Sequence, residues 1–304
     1  MLDFQKVRIE DKDTLQAFFS KSTFRNCDFS FSNIFSWEHF YNTTFVARKD
    51  DFLFVRFQSS GQLPGYLFPL GSGSLKTAIE ELMKDARERN DAFRMYSVTQ
   101  NMFDLIEKTF PDFFEYEKHR DWYEYIYASE DLIHLVGKKF QAKRNHINKF
   151  KRTYDWEYLP ITREIIPDCL KLYDRWCEEN GGCNSQESLI GERIATQKIF
   201  ANYEKLDLKG GALRINGEIL AYSYGQALTE DTFAIHAEKC LYKIDGGYSI
   251  INQQFAENNC AEYKYINREE DLGLDSLRQA KLSYHPVILL EKGSVKIKSD
   301  HPKL

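Results

Sequence analysis

The stretch TFAIHAEKCLYKIDGGYSIINQQF, residues 232–255, decides the reading of the fold. Its first part reads as a strand in which Ala234, His236 and Glu238 share one face. Lys243-Ile244-Asp245-Gly246-Gly247 then opens a helix. Two glycines at a helix start leave backbone N–H groups bare, and the helix dipole favours an anion there. Lys243, Gly246 and Gly247 are therefore candidates for holding the phosphates of a donor; a plain tight turn is the other reading. If the strand face looks into a cleft, His236 or Glu238 can serve as a general base. An ordinary surface ladder is the alternative.

Working outward, the second half continues the same plan. Residues 210–228, GGALRINGEILAYSYGQAL, carry Asn216-Gly217 between alternating apolar residues, the strongest short hairpin signal in the chain. Residues 156–161 read as a short strand, and residues 167–180 and 185–206 as helices. After the glycine turn come a strand (262–267), a helix (274–284) and a final strand (286–292). The first half also alternates. A hairpin is expected around Lys49-Asp50-Asp51, and a strand at 65–71. A helix follows at 74–90, capped by Ser74, with Leu75, Ile79, Leu82 and Met83 on one face. Beyond it lie a strand (93–99), a helix (100–110) and a long strand or hairpin (114–128). Strands with interleaved helices in each half predict an α+β protein built of mixed sheets with flanking helices and right-handed crossovers. The halves are expected to be two domains, 1–131 and 132–304, the second opened by a basic helix at 132–154.

Bulk properties narrow the functional classes. The chain has 304 residues, 42% of them apolar and 15% aromatic, so a thick core is expected. The net charge of -5 lies wholly in residues 1–130, where 16 Lys and Arg face 21 Asp and Glu. No global basic field announces a DNA-binding protein, so DNA is not an expected partner. Six cysteines, at 27, 169, 177, 183, 240 and 260, form no C-x-x-C pair. Buried thiols in a reducing compartment are the simpler reading, a zinc site the rarer one, and no metal is expected. The N-terminus MLDFQKVRIEDKD has no long apolar run, and no window reaches 18 apolar residues. No signal peptide or membrane span is expected, and a cytoplasmic protein is, peripheral at the membrane surface at most.

The basic helix draws attention because residues 132–154 hold seven Lys or Arg and no acid. On a helix, Val136, Phe140, Ile147, Phe150 and Tyr154 make one stripe, and Lys143 falls near its middle with Arg144 at its border. A docked helix with a solvated basic face is one reading, with Lys143 snorkelling its stem. The other is a helix that offers Lys143, Arg144 and Asn145 to a phosphate, from tRNA, a nucleotide or an anionic lipid head group. A cation on an apolar stripe needs a partner.

Three stretches together carry a resemblance: FQAKRNHINKFKR (140–152), HAEKCLYKIDGGYSIINQQFAE (236–257) and INREEDLGLDSLRQAKLSYHP (266–286). They are similar to bacterial proteins related to the C-terminal synthase domain of phosphatidylglycerol lysyltransferases, over residues 132–291 and more loosely before them. The resemblance implies two fused GNAT-like domains, of the acyl-CoA N-acyltransferase type, and kinship with the Fem-type enzymes that move an aminoacyl group from tRNA to an amine or hydroxyl. GNAT enzymes hold coenzyme A on an Arg/Gln-x-x-Gly-x-Gly/Ala turn. Here Lys243 stands first, Gly246 fourth and the bulky Tyr248 sixth. The lysyltransferases also carry a transmembrane flippase ahead of this domain, and no such span is read here. In a GNAT-like sheet the central strands splay and the substrate lies in the gap. That places Asn267 on a carbonyl or amide, Arg268 on a phosphate or carboxylate, and Glu269, Glu270 and Asp271 on a substrate ammonium. Arg278 and Lys281 follow on one helix face. Tyr284 is the counterpart of the tyrosine that protonates the leaving group. A charged loop in which Asp271 or Asp275 caps the next helix explains the same run.

The expected activity is transfer of an acyl or aminoacyl group by direct attack of an amine or hydroxyl, with His236 or Glu238 as base and aminoacyl-tRNA or acyl-CoA as co-substrate. The acceptor is expected to be a small molecule or a lipid head group. A small-molecule N-acetyltransferase using acetyl-CoA is the second reading, and a non-catalytic protein that binds an anionic ligand is the third. No G-x-S-x-G motif suggests a nucleophilic hydrolase.

Overall fold

The computed structural model describes residues 1–47, 52–58, 62–182 and 187–299. The hairpin turn at 49–51, Cys183 and the expected helix start at 185–186 lie outside the described residues. The chain forms two compact units. One comprises Met1–Glu124, Glu270–Asp275 and Leu289–Leu304; the other comprises Tyr125–Glu269 and Ser276–Ile288.

In chain order the first unit begins with β1 (Gln5–Lys6), α1 (Lys12–Phe19), α2 (Phe31–Ser36) and α3 (Glu38–Tyr41). It continues with β2 (Thr44–Ala47), β3 (Phe52–Phe57), β4 (Gly65–Tyr66), β5 (Leu70–Gly71), α4 (Leu75–Glu88), β6 (Arg94–Thr99), α5 (Gln100–Thr109) and β7 (Phe114–Lys118). The Ser74 hydroxyl accepts from the Thr77 N–H and starts α4, whose Ile79 and Leu82 are fully buried. β8 (Glu124–Ala128), α6 (Ser129–His134), α7 (Gln141–Thr153), β9 (Trp156–Pro160), α8 (Ile166–Glu179) and α9 (Glu187–Ala201) lead into the second unit. Then come β10 (Lys209–Ile215), β11 (Glu218–Ala227), β12 (Thr232–Cys240), α10 (Gly247–Asn259), β13 (Tyr265–Glu270) and α11 (Asp275–Leu282). Two short strands finish the chain, β14 (Ile288–Leu290) and β15 (Lys292–Ile297).

Both sheets are mixed and flanked by helices. Among the described residues the first runs β1-β2-β3-β4-β6-β15-β7 with β5 beside β3, and the second runs β14-β8-β13-β12-β11-β10-β9. Asn216 and Gly217 have φ of 51° and 87°, which makes the β10–β11 hairpin the type I′ turn that Asn-Gly favours. No helix among the described residues is long and apolar enough to cross a membrane.

Three expected elements divide. Residues 114–128 are not one strand or hairpin: β7 and β8 belong to different sheets, with a 3₁₀ turn at Arg120–Trp122 between them. The final strand is likewise two, β14 in one sheet and β15 in the other. The basic helix is broken where Leu135 and Gly137 take φ of 51° and 91°, a left-handed step no α-helix tolerates. Val136, counted on the apolar stripe, is 69% exposed in that break.

In the first unit one buried ammonium gathers three carboxylates. Lys292 Nζ, fully buried, lies 2.8 Å from Asp28, 2.6 Å from Glu124 and 2.5 Å from Glu270. These acids come from chain segments far apart in sequence. Glu124 also accepts from the Cys27 N–H at 3.1 Å. Cys27, Asp28 and Glu124 bring ligand-type atoms within 4.8 Å of one another, but the Lys292 ammonium bonds both of the carboxylates there. Burial pushes the Glu270 carboxyl up to about 7; Lys292 opposes the shift, and Asp28 and Glu124 reinforce it.

Two outcomes are expected. Lys292→Met leaves three acids facing one another and lowers unfolding free energy by about 3–5 kcal/mol in urea titration. The second concerns pH. Glu270 holds its proton more tightly folded than unfolded, so its contribution is complete below the ordinary carboxylate range and is lost as pH rises through about 7. The urea midpoint should fall between about pH 4.5 and about pH 7, and Glu270→Gln should flatten that fall.

Candidate active site

The site lies in the second unit, where β12 and β13 run parallel for three residue pairs and then part. Thr232, Phe233 and Ala234 pair with Tyr265, Ile266 and Asn267. Beyond them each strand has a reason to leave the ladder. On β12 the pairing to β11 slips between Ala237 and Ile235, so His236 is the extra residue of a bulge. Opposite it, a Cβ on Gly225 would meet the Ala234 carbonyl at 1.9 Å, so only glycine fits. On β13 Glu269 has φ of 57°, and its N–H donates to the Asn267 side-chain oxygen at 2.8 Å. The bulge also corrects the expected face. Ala234 and Glu238 fall on opposite sides of the sheet, because one residue of the alternation is spent.

Two side-chain pairs span the fork. His236 Nδ1 lies 2.7 Å from Glu269 Oε1, and Arg268 Nη2 donates to Glu238 Oε1 at 2.9 Å. The carboxylate of Glu269 fixes the His236 proton on Nδ1, which leaves the lone pair on Nε2. The other oxygen of Glu238 accepts from Asn252 Nδ2 of α10 at 2.9 Å. Lys281 Nζ donates to the Arg268 carbonyl at 2.6 Å and pins the strand end, while its own carbonyl accepts from Tyr127 Oη at 2.9 Å.

The ring of Tyr284 then collects two cations. Lys143 Nζ of α7 stands 3.9 Å from the ring centroid and Arg268 Cζ stands 4.8 Å from it. Among the described residues the Lys143 ammonium makes no hydrogen bond or ion pair; its neighbours are the ring and Arg268. Arg268 Nη1 is buried and has no acceptor among the described residues. Burial, with Arg268 beside it, lowers the Lys143 ammonium to about 8, and Glu238 partly offsets this. Burial raises the Tyr284 phenol and so keeps it protonated, with Ser249 as its hydrogen-bond partner.

His236, Glu238, Lys143, Arg268, Glu269, Lys281 and Tyr284 are thus brought together in this unit. Others take separate places. Asn267 is fully buried and turned to the backbone of its own strand. The charged run divides between the units: Asp271 belongs to the first, where it accepts from Arg120 at 3.1 Å and from the Gly273 N–H at 2.9 Å. Arg144 closes on the carbonyls of Leu135 and Gly137 at the helix break. Asn145 is exposed on α7, Lys243 is exposed in its turn, and Arg278 is half-buried on α11. The glycine pair has a packing cause. A Cβ on Gly246 would meet the His146 carbonyl at 2.8 Å, and one on Gly247 would meet Cys240 Sγ at 2.3 Å. The Gly247 N–H is not bare, since it donates to the Ile244 carbonyl. Asn252 is the residue that reading the sequence missed. It lies on the apolar face of α10 with Phe255 and Ala256, and a polar group on such a face needs a partner.

Titration of Lys143 checks this geometry. In protein carrying ¹³C-methylated lysines, its NMR resonance should move near pH 8, below the bulk of the lysines. Arg268→Gln should shift that midpoint upward, because it removes a cation and frees Glu238.

The fold has known counterparts. A conserved protein of unknown function from Bacteroides thetaiotaomicron VPI-5482 is 45% identical, with a TM-score of 0.93 over 98% of this chain and 100% of that one. L-PGS from Bacillus licheniformis is 18% identical, with a TM-score of 0.64 over 96% and 93% of the two chains. FemX is 10% identical, with a TM-score of 0.60 over 97% and 96%. A tandem GNAT protein of clavulanic acid biosynthesis aligns at a TM-score of 0.50 and 6% identity over 99% of both chains, in keeping with the expected pair of GNAT-like domains. An uncharacterized protein of Mycoplasmoides gallisepticum, MYCGA3080, is 25% identical over 181 residues; the match spans 59% of this chain and 58% of that protein. Residues 19–292 match the family described as phosphatidylglycerol lysyltransferase, C-terminal, and the chain belongs to that family.

Proposed function

We propose that this protein transfers an aminoacyl group from an aminoacyl-tRNA ester to an amine or hydroxyl acceptor, by direct attack and without a covalent enzyme intermediate. The observation that carries the reading is the pair of cations on Tyr284, where, among the described residues, Arg268 has a buried donor lacking an acceptor and Lys143 lacks an ion-pair partner. Buried donors without partners are costly and are satisfied when a ligand supplies oxygen.

In this reading the ester carbonyl oxygen lies against Arg268 Nη1 and Lys143. As the acceptor attacks, negative charge grows on that oxygen, and both cations stabilise it more than the ground state. His236 Nε2 takes the proton of the attacking group, with Glu269 holding the ring and stabilising the imidazolium. The bond from acyl carbon to the leaving oxygen breaks, and the Tyr284 phenol is the proton source for that oxygen. Holding both reactants in the fork supplies much of the rate. The exposed basic residues of α7 suit a phosphate backbone or an anionic head group beside the site. The acetyl-CoA alternative finds less support, because the turn at 243–248 has bulky Tyr248 in its sixth position and its Gly247 N–H is already bonded.

The assay is transfer of label from mixed charged tRNA to a panel of amines, alcohols and phosphatidylglycerol vesicles. Wild type should give an acylated product. Arg268→Ala and His236→Ala should each lower the rate about 10²-fold or more, with thermal unfolding still cooperative. Absence of product from every charged tRNA, together with calorimetric binding of coenzyme A, would favour the acetyltransferase instead.

A further inference from the structure

We infer that the fork reads a free α-amino group, and that Asn252 is the residue that accepts from it. The inference rests on the transfer reading above and narrows the donor it admits.

Asn252 sits on α10 and is fully buried. Its Nδ2 donates to Glu238 at 2.9 Å, so the orientation of the amide is fixed; turned over, its oxygen would face a carboxylate. That leaves Asn252 Oδ1 buried and, among the described residues, without a donor. On the other oxygen of Glu238 sits Arg268, whose Nη1 is buried and without an acceptor. One carboxylate is therefore flanked by an unmet acceptor on one side and an unmet donor on the other.

A ligand that completes both must carry a donor and an acceptor close together. An acetyl thioester supplies only a carbonyl, and a phosphate supplies only oxygens; each would leave Asn252 Oδ1 unmatched. An α-aminoacyl group supplies both. Its carbonyl oxygen accepts from Arg268 Nη1, and its ammonium, one carbon away, donates to Asn252 Oδ1 and Glu238. An aspartate at 252 would have no N–H for Glu238, so the amide is the side chain that meets both neighbours.

The probes are 3′-aminoacylamido-3′-deoxyadenosines, which carry a stable amide in place of the ester, each with its N-acetyl counterpart. Binding is read by calorimetry on the full chain. Wild type should bind the free-amine form about tenfold or more tightly than the acetylated one. In Asn252→Leu that ratio should fall severalfold while staying above one, because Glu238 still faces the ammonium, with affinity for the acetylated form kept. Equal affinity of wild type for the two forms overturns this inference and leaves the transfer reading standing. Absence of binding by every free-amine probe overturns both. The wild-type comparison decides the matter even if Asn252→Leu does not fold.

Discussion

The parting of β12 and β13 is the constraint on which the site depends. Two neighbouring parallel strands ordinarily keep bonding, and a separation exposes backbone groups that need other partners. Here the separation is forced from both sides. The extra residue at His236 spoils the register of β12, and the left-handed turn at Glu269 swings β13 away. Asn267 answers one freed N–H, and Lys281 answers one freed carbonyl. What remains between the strands is a gap lined by side chains, not a ladder.

Those side chains are mutually dependent. Arg268 leans on Glu238, Glu238 on Asn252, and Glu269 on His236. Removing any one leaves a charged or polar group unpaired in a place water reaches poorly, which makes the group act as a unit. Yet the network is not closed. Among the described residues the donor of Arg268 and the oxygen of Asn252 stay unmet, and Lys143 is held by an aromatic face and its neighbours' fields. A purely structural network would have no reason to keep three such groups around one carboxylate and one ring. The first unit offers the contrast: there Lys292 is surrounded by acids, and the charge problem is solved within the chain.

Much of the site was legible in the residues. His236 and Glu238 stood out as alternate residues of one strand, Arg268 through the place that the family resemblance gives it, and Lys143 as a cation on an apolar helix stripe. Asn252 gave the same signal and was passed over, because a lone amide in a helix is easily read as surface. Asn267 and Asp271 were candidates for ligands, with a capping role open for Asp271; both bond their own backbone beside a bend, as short polar side chains do. The glycines at 246 and 247 were open to two readings, an anion cradle or a plain tight turn, and the approach of His146 and Cys240 gives them a packing reason of their own.

The sequence alone determined the local plan: where strands and helices lie, that the sheets are mixed, that Asn216-Gly217 turns a hairpin, and that the three stretches at 140–152, 236–257 and 266–286 belong to a known family. These are legible because periodicity, turn chemistry and motif spacing act over a few residues. Tertiary structure alone decided that β15 returns to the first sheet, that the run at 268–271 is shared between two units, and that a bulge puts Glu238 where Arg268 and Asn252 can reach it. Such choices depend on which distant groups compete for the same buried charge, and no local pattern records the outcome of that competition.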